Sequence, residues 1–96
     1  MQRTNFQHLG SAFDEFFKKK GFYRKMLEVS AKESWKEIVG PVFAKATEKI
    51  FIQNHIMYIS INSPAIRHEL LLNRNTIKTK INKKIGKNII YEIVIK

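Results

Sequence analysis

Seven basic residues in the last third of the sequence have a spacing suited to binding phosphate groups. Arg67, Arg74 and Lys78 are seven and four residues apart, which places them within about 40° of one another on a helix. Such a row can follow a phosphate backbone, so we expect weak, sequence-nonspecific binding to single-stranded or forked DNA. The alternative is a solvated helix face that keeps the protein soluble. The complete candidate set is Arg67, Arg74, Lys78, Lys80, Lys83, Lys84 and Lys87.

The residue combinations that catalyse reactions are missing from the sequence. The three histidines, His8, His55 and His68, stand far apart, and none has the spacing of a metal-binding pair. The chain has no cysteine, no phosphate-binding glycine loop and no nucleophile elbow. We therefore expect no enzymatic activity, no metal, no cofactor and no small-molecule substrate. His55 is interpreted as a solvated residue of a turn.

The composition favours one basic, cytoplasmic domain. A chain of 96 residues suffices for a single hydrophobic core, so we expect one domain over residues 1–96. The net charge of +10 favours a polyanionic partner. The alternative is that part of this charge reflects an A·T-rich genome, which also raises the lysine and isoleucine content. The sequence has no cysteine, no apolar signal segment at its start and no run of eighteen apolar residues. We therefore expect a cytoplasmic protein that makes no membrane contact.

A long helix over residues 63–86 is predicted to carry the basic residues. Ser63 has the hydroxyl of an N-cap, Pro64 fits the first turn, and Gly86 can adopt the left-handed conformation that ends a helix. One face of this helix is apolar and must be buried. That face consists of Ile66, Leu70, Ile77, Ile81 and Ile85.

Two more helices are predicted before the long one. The first has apolar residues at helical spacing over residues 9–17, and the second has them over residues 27–39 and stops at Gly40 and Pro41. Trp35 lies on the apolar face of the second helix, so we interpret it as a core residue. The alternative is that its ring stacks on a nucleic-acid base.

An alternation of period two predicts three strands after residue 47. Ile50 and Ile52 begin a hairpin that turns tightly at Asn54 and His55 and returns over residues 57–61. A last strand is predicted over residues 89–95, with the side chains at 89, 91, 93 and 95 on one face. The order of elements corresponds to an α+β fold, a two-layer domain in which helices cover one face of a three-stranded sheet.

Two apolar surfaces are predicted to remain open for a partner. Phe51 and Tyr58 share the outer face of the sheet, where they suit a nucleic acid, another protein or a second copy of the chain. Leu72 points away from the apolar face of the long helix and, with Leu71 beside it, can form a small docking patch. The commoner interpretation of Leu72 is a chance surface leucine.

A set of residues spread along the chain resembles the pattern of a known family. The set is Trp35, Val39 and Gly40, then Phe43, Ala44 and Thr47, then Met57, Ile59, Ile61 and Ser63, then Arg67, Glu69 and Leu70, then Ile81, Asn82, Ile85 and Gly86. In this order, over residues 9–95, they resemble the DciA-like family, bacterial proteins that act as loaders or operators of the replicative DNA helicase. The resemblance implies a core similar to the KH nucleic-acid-binding domain, with DNA and the replicative helicase as partners.

Three features separate this chain from the family pattern. Ile66 stands where members often have a second tryptophan, and the sequence stops at Lys96, whereas longer members continue into a flexible extension implicated in helicase binding. The sequence also lacks the Gly-x-x-Gly loop with which a KH domain clamps a nucleic-acid backbone. A KH-like module that binds RNA is the alternative function.

Overall fold

The computed structural model describes residues 21–96, which form helices and one small sheet. The helix predicted over residues 9–17 lies outside this range. The elements in chain order are α1 (Phe22–Val39), α2 (Pro41–Lys45), β1 (Thr47–Gln53), β2 (Ile56–Ile61), α3 (Pro64–Leu72), α4 (Arg74–Ile85) and β3 (Glu92–Ile95).

The three strands form one sheet in the order β1, β2, β3, which confirms the predicted α+β fold. The β1–β2 hairpin is antiparallel, and β3 is parallel to β2. Parallel neighbours need a long crossover connection, which α3 and α4 supply here. The helices pack on one face of the sheet, where α3 contacts both β2 and β3 and α4 contacts β3.

The hairpin turn lies at Asn54 and His55, as predicted. Both residues have positive φ, 53° for Asn54 and 67° for His55. Two consecutive positive φ values are typical of the tight turn that matches the twist of the two strands. Asparagine tolerates this conformation, but histidine adopts it at a cost that glycine would avoid.

The core lies between the inner face of the sheet and the helices α1, α3 and α4. Its largest fully buried side chains are Trp35, Met57, Ile59, Leu70, Ile81 and Ile90. The Trp35 Nε1–H donates to Thr47 Oγ1 at 3.1 Å, and that hydroxyl in turn donates to the carbonyl oxygen of Phe43 at 2.9 Å. Trp35 is thus a core residue, as predicted, and its ring is not available to stack on a base.

The predicted long helix occupies its predicted span but is interrupted at Asn73. Ser63 Oγ accepts from the amide of Ile66 at 3.4 Å, and Gly86 ends α4 with φ 88°. Asn73 has φ −109° and ψ 10°, and its Nδ2 donates to the carbonyl oxygen of Glu69 at 2.9 Å. Asparagine side chains compete with the helical ladder for backbone partners in this way, so α3 and α4 are separate helices.

The last strand is shorter than predicted, which changes the position of Tyr91. Strand β3 begins at Glu92, and both Ile89 and Ile90 before it are buried, so the alternation expected over residues 89–95 holds only within β3. The prediction that Tyr91 lies in the strand, on one face with Ile93 and Ile95, is therefore wrong. Its side chain is 60% exposed.

Candidate nucleic-acid interface

A basic cleft of about 830 Å³ lies between the second half of α4 and the segment of residues 86–91. We call it the lysine cleft and define it by Lys78, Lys83 and Lys87 with Asn82 and Tyr91. None of the described residues that line it is acidic. Several lysines that line one cleft without acidic neighbours produce a positive potential that attracts phosphate.

Two local features of the chain build the lysine cleft. The left-handed Gly86 turns the chain back after α4, and its amide donates to the carbonyl oxygen of Asn82 at 2.8 Å. The buried side chain of Asn82 then binds both backbone groups of Ile90: Nδ2 donates to the carbonyl oxygen at 2.8 Å, and Oδ1 accepts from the amide at 3.0 Å. The far wall of the cleft is therefore fixed to the helix.

Replacing Asn82 by alanine is expected to lower the free energy of unfolding by about 2–4 kcal/mol. The change removes two hydrogen bonds and leaves two polar backbone groups of the buried Ile90 without partners. Urea denaturation followed by circular dichroism measures the loss. The control is Asn75→Ala on the exposed side of the same helix, for which we expect a change within about 0.5 kcal/mol. Equal losses in the two variants would contradict this role of Asn82.

The three lysines occupy different positions around the cleft. Lys78 is half-buried, and its Nζ donates to the carbonyl oxygen of Tyr91 at 3.3 Å. Lys83 is exposed on α4, and Lys87 is exposed on the segment that follows. The Lys87 Nζ lies 5.2 Å from the centroid of the Tyr23 ring, in reach of a cation–π interaction. The side chains of Lys83 and Lys87 are thus accessible from solvent.

An aromatic and basic cluster that the sequence analysis missed adjoins the lysine cleft. The rings of His55 and Tyr91 stack with their centroids 4.3 Å apart and their planes 10° apart. His55 Nδ1 lies 3.0 Å from the carbonyl oxygen of Ile89, and Nε2 lies 3.3 Å from Arg24 Nη1. The interpretation of His55 as a solvated turn residue is therefore wrong, because its ring is half-buried and held on three sides.

The other four basic candidates lie away from the cleft. Arg67 belongs to α3, where its Nη2 donates to the carbonyl oxygen of Ile61 at 3.0 Å. Lys84 forms an ion pair with Glu37 of α1. Arg74 is exposed at the start of α4, and Lys80 lines a separate depression beside α2. Asn73 separates the helix that carries Arg67 from the helix that carries Arg74 and Lys78, so the spacing along one helix no longer places the three residues in a row.

Phe51 on the outer face of the sheet and Leu72 at the end of α3 are exposed apolar residues. Phe51 and Tyr58 are paired in register and stack with ring centroids 4.8 Å apart and planes 11° apart. The side chain of Phe51 is 40% exposed and that of Leu72 is 70% exposed. Leu71, in contrast, is half-buried and packs against the core. Any docking patch at this end of α3 therefore consists of Leu72 more than of Leu71.

Among residues 21–96 no group of three His, Asp or Glu side chains is placed to hold a metal ion. Of the described helices, none has the length and apolar character needed to cross a membrane.

Comparison with known proteins identifies the family of this chain. No curated protein and no solved structure matches the chain at a significant level. The sequence does match the model of the family described as "Dna[CI] antecedent, DciA" over residues 8–95. This range contains every residue of the lysine cleft. The chain is therefore a member of the DciA family, which is associated with helicase loading.

Proposed function

We propose that this protein is a non-enzymatic DNA-binding accessory factor that assists the loading or operation of the replicative helicase. The observation that carries the proposal is the lysine cleft, a positive surface with no acidic lining among the described residues, in a member of the DciA family. Membership supports the helicase as the protein partner, and the cleft supports DNA as the second ligand. The DNA is single-stranded or forked, and it is bound without regard to sequence.

The contacts offered by the cleft favour phosphate over base edges. Lys83 and Lys87 present single ammonium groups on flexible side chains, which bind phosphates as point charges. Sequence-specific proteins instead hold rigid planar groups against base edges. Lys78 lines the same cleft, and Arg24 contacts His55, whose ring stacks on that of Tyr91. A strand that crosses the cleft and passes Tyr91 can therefore meet about four cations.

The salt dependence of binding tests the DNA part of the proposal. If about four phosphates are neutralised, the affinity for a single-stranded oligonucleotide should fall roughly fifty-fold between 50 and 200 mM salt. Fluorescence anisotropy with a labelled oligo(dT) measures it. Absence of binding at 50 mM salt, or an affinity that salt does not change, would contradict the proposal. A preference for structured RNA over the oligo(dT) in competition would favour the KH-like RNA-binding function instead.

The helicase part of the proposal is tested at Leu72. We expect Leu72→Asp to reduce recovery of the replicative helicase in a pull-down at least fivefold, because a charge at the centre of a small apolar contact opposes its burial. The matched control is Val42→Asp, since Val42 on α2 is 68% exposed and equally apolar. Recovery by Leu72→Asp equal to that of the wild type would remove this patch as the helicase contact.

A further inference from the structure

We propose that Tyr91 is a base-stacking platform: a single strand of DNA places one base on the open face of the Tyr91 ring while the lysine cleft holds its phosphates. This inference rests on the proposed DNA-binding function and adds a contact that charge alone does not supply. The ligand is a nucleic-acid strand with unpaired bases, because only an unpaired base offers a free π-face.

The Tyr91 ring has one supported face and one free face. His55 covers one face in a nearly parallel stack, with ring centroids 4.3 Å apart and planes 10° apart. The side chain is nevertheless 60% exposed, so the opposite face is open to solvent. Tyr91 also lines the lysine cleft, which puts this open face beside the cations that would hold the strand.

The backbone of Tyr91 is fixed on both sides. Its amide donates to the carbonyl oxygen of His55 at 2.7 Å, and its carbonyl oxygen accepts from Lys78 Nζ at 3.3 Å. The buried Asn82 holds Ile90, the residue directly before it. The ring thus projects from an anchored segment, so little of its freedom remains to be lost when a base stacks on it.

His55, which supports the Tyr91 ring, has an unfavourable backbone conformation. His55 has φ 67° at a turn position where glycine would be unstrained. Its Nδ1 must donate to the carbonyl oxygen of Ile89, because a carbonyl has no proton, which leaves Nε2 to accept from the Arg24 guanidinium. His55 is thus kept in a strained backbone conformation while both of its ring nitrogens form hydrogen bonds. This indicates that the site depends on the position of the imidazole ring.

The test compares two oligonucleotides of equal length and charge, one of oligo(dT) and one in which every base is missing. Because stacking of one base on an aromatic ring adds to the binding free energy, Tyr91→Ala should weaken oligo(dT) binding about tenfold at 50 mM salt. The abasic strand should bind both proteins equally. Tyr91→Phe keeps the ring and should retain the oligo(dT) affinity within about twofold. Equal weakening on both strands, or no weakening on either, would overturn the inference.

A second variant removes the support rather than the platform. His55→Gly suits the positive φ of the turn, so we expect the hairpin to fold, and the Tyr91 ring then loses the stack beneath it. Affinity for oligo(dT) should fall about threefold or more, again without an effect on the abasic strand. An affinity of His55→Gly equal to that of the wild type on oligo(dT) would contradict the role given to the histidine.

The experiment separates this inference from the proposed function. If the wild-type protein binds neither strand at 50 mM salt, the DNA-binding proposal fails, and the platform fails with it. If both strands bind with equal affinity and neither depends on Tyr91, the phosphate contacts stand and the platform alone is overturned. A 2-aminopurine base in the oligonucleotide adds a direct readout, because its fluorescence should be quenched by the wild type and by Tyr91→Phe but not by Tyr91→Ala.

Discussion

Reversing the charge of the three cleft lysines, in the variant Lys78→Glu, Lys83→Glu, Lys87→Glu, is expected to weaken single-stranded DNA binding on the order of 100-fold at 50 mM salt. The reason is that three of about four phosphate contacts are lost and three carboxylates now repel the strand. Anisotropy titration of a labelled oligo(dT) measures the change. The salt dependence of any remaining binding should also become shallow, because fewer counterions are released.

A matched variant separates the cleft from net charge. Lys36, Lys45 and Lys49 are exposed on α1, α2 and β1, and none of them lines the lysine cleft. Their joint replacement by glutamate changes the net charge by the same amount, and we expect a loss of only several-fold, from the weaker long-range field. Losses of equal size in the two triple variants would show that DNA responds to the overall charge and not to this surface.

Replacing Trp35 by alanine is expected to lower the free energy of unfolding by about 3–5 kcal/mol. Trp35 is fully buried in the core between α1 and the start of β1, and its Nε1–H donates to the hydroxyl of Thr47. The truncation leaves a cavity that the surrounding helices and strands fill only in part. Because small domains have a total stability of roughly 5–15 kcal/mol, this variant should be largely unfolded at moderate urea concentrations.

The conservative variant Trp35→Phe divides that loss into packing and hydrogen bonding. It keeps an aromatic ring in the core but removes the donor to Thr47, so we expect a loss of about 1–2 kcal/mol. Chemical denaturation of both variants, compared with the wild type, gives the two numbers. Trp35→Ala with a loss below about 1 kcal/mol would contradict the placement of this ring in the core.

The parts of the fold that depend on interactions between neighbouring residues could be predicted from the sequence. The hydroxyl of Ser63, the ring of Pro64 and the freedom of Gly86 each act through their immediate neighbours, so the helical span was predicted at both ends. The interruption at Asn73 was not predicted. The Asn73 side chain competes with backbone amides for the carbonyl oxygen of Glu69, and the sequence alone does not show which donor binds it. The late start of β3 has a similar origin, since the side chain of Asn82 on α4 binds the backbone of Ile90.

Only the part of the candidate site whose residues are close in sequence could be predicted. Lys78, Lys83 and Lys87 are close in sequence, and α4 with its end brings them to one cleft. Arg24 and Tyr91 meet at His55 across separations of 31 or more residues, which no spacing along the chain reveals. One local signal was present in the sequence: histidine stands at the second position of a tight hairpin turn, where glycine is strongly preferred.

The central claim is that DNA binds in the lysine cleft, and chemical-shift mapping locates the contact most directly. The ¹⁵N-labelled protein is titrated with oligo(dT) at 50 mM salt, and amide shifts are followed along residues 21–96. We predict that the largest shifts fall on residues 78–91 and on His55, with the outer sheet face near Phe51 and the end of α3 near Leu72 little changed. Shifts concentrated at Phe51 and Tyr58, with residues 78–91 unmoved, would contradict the account.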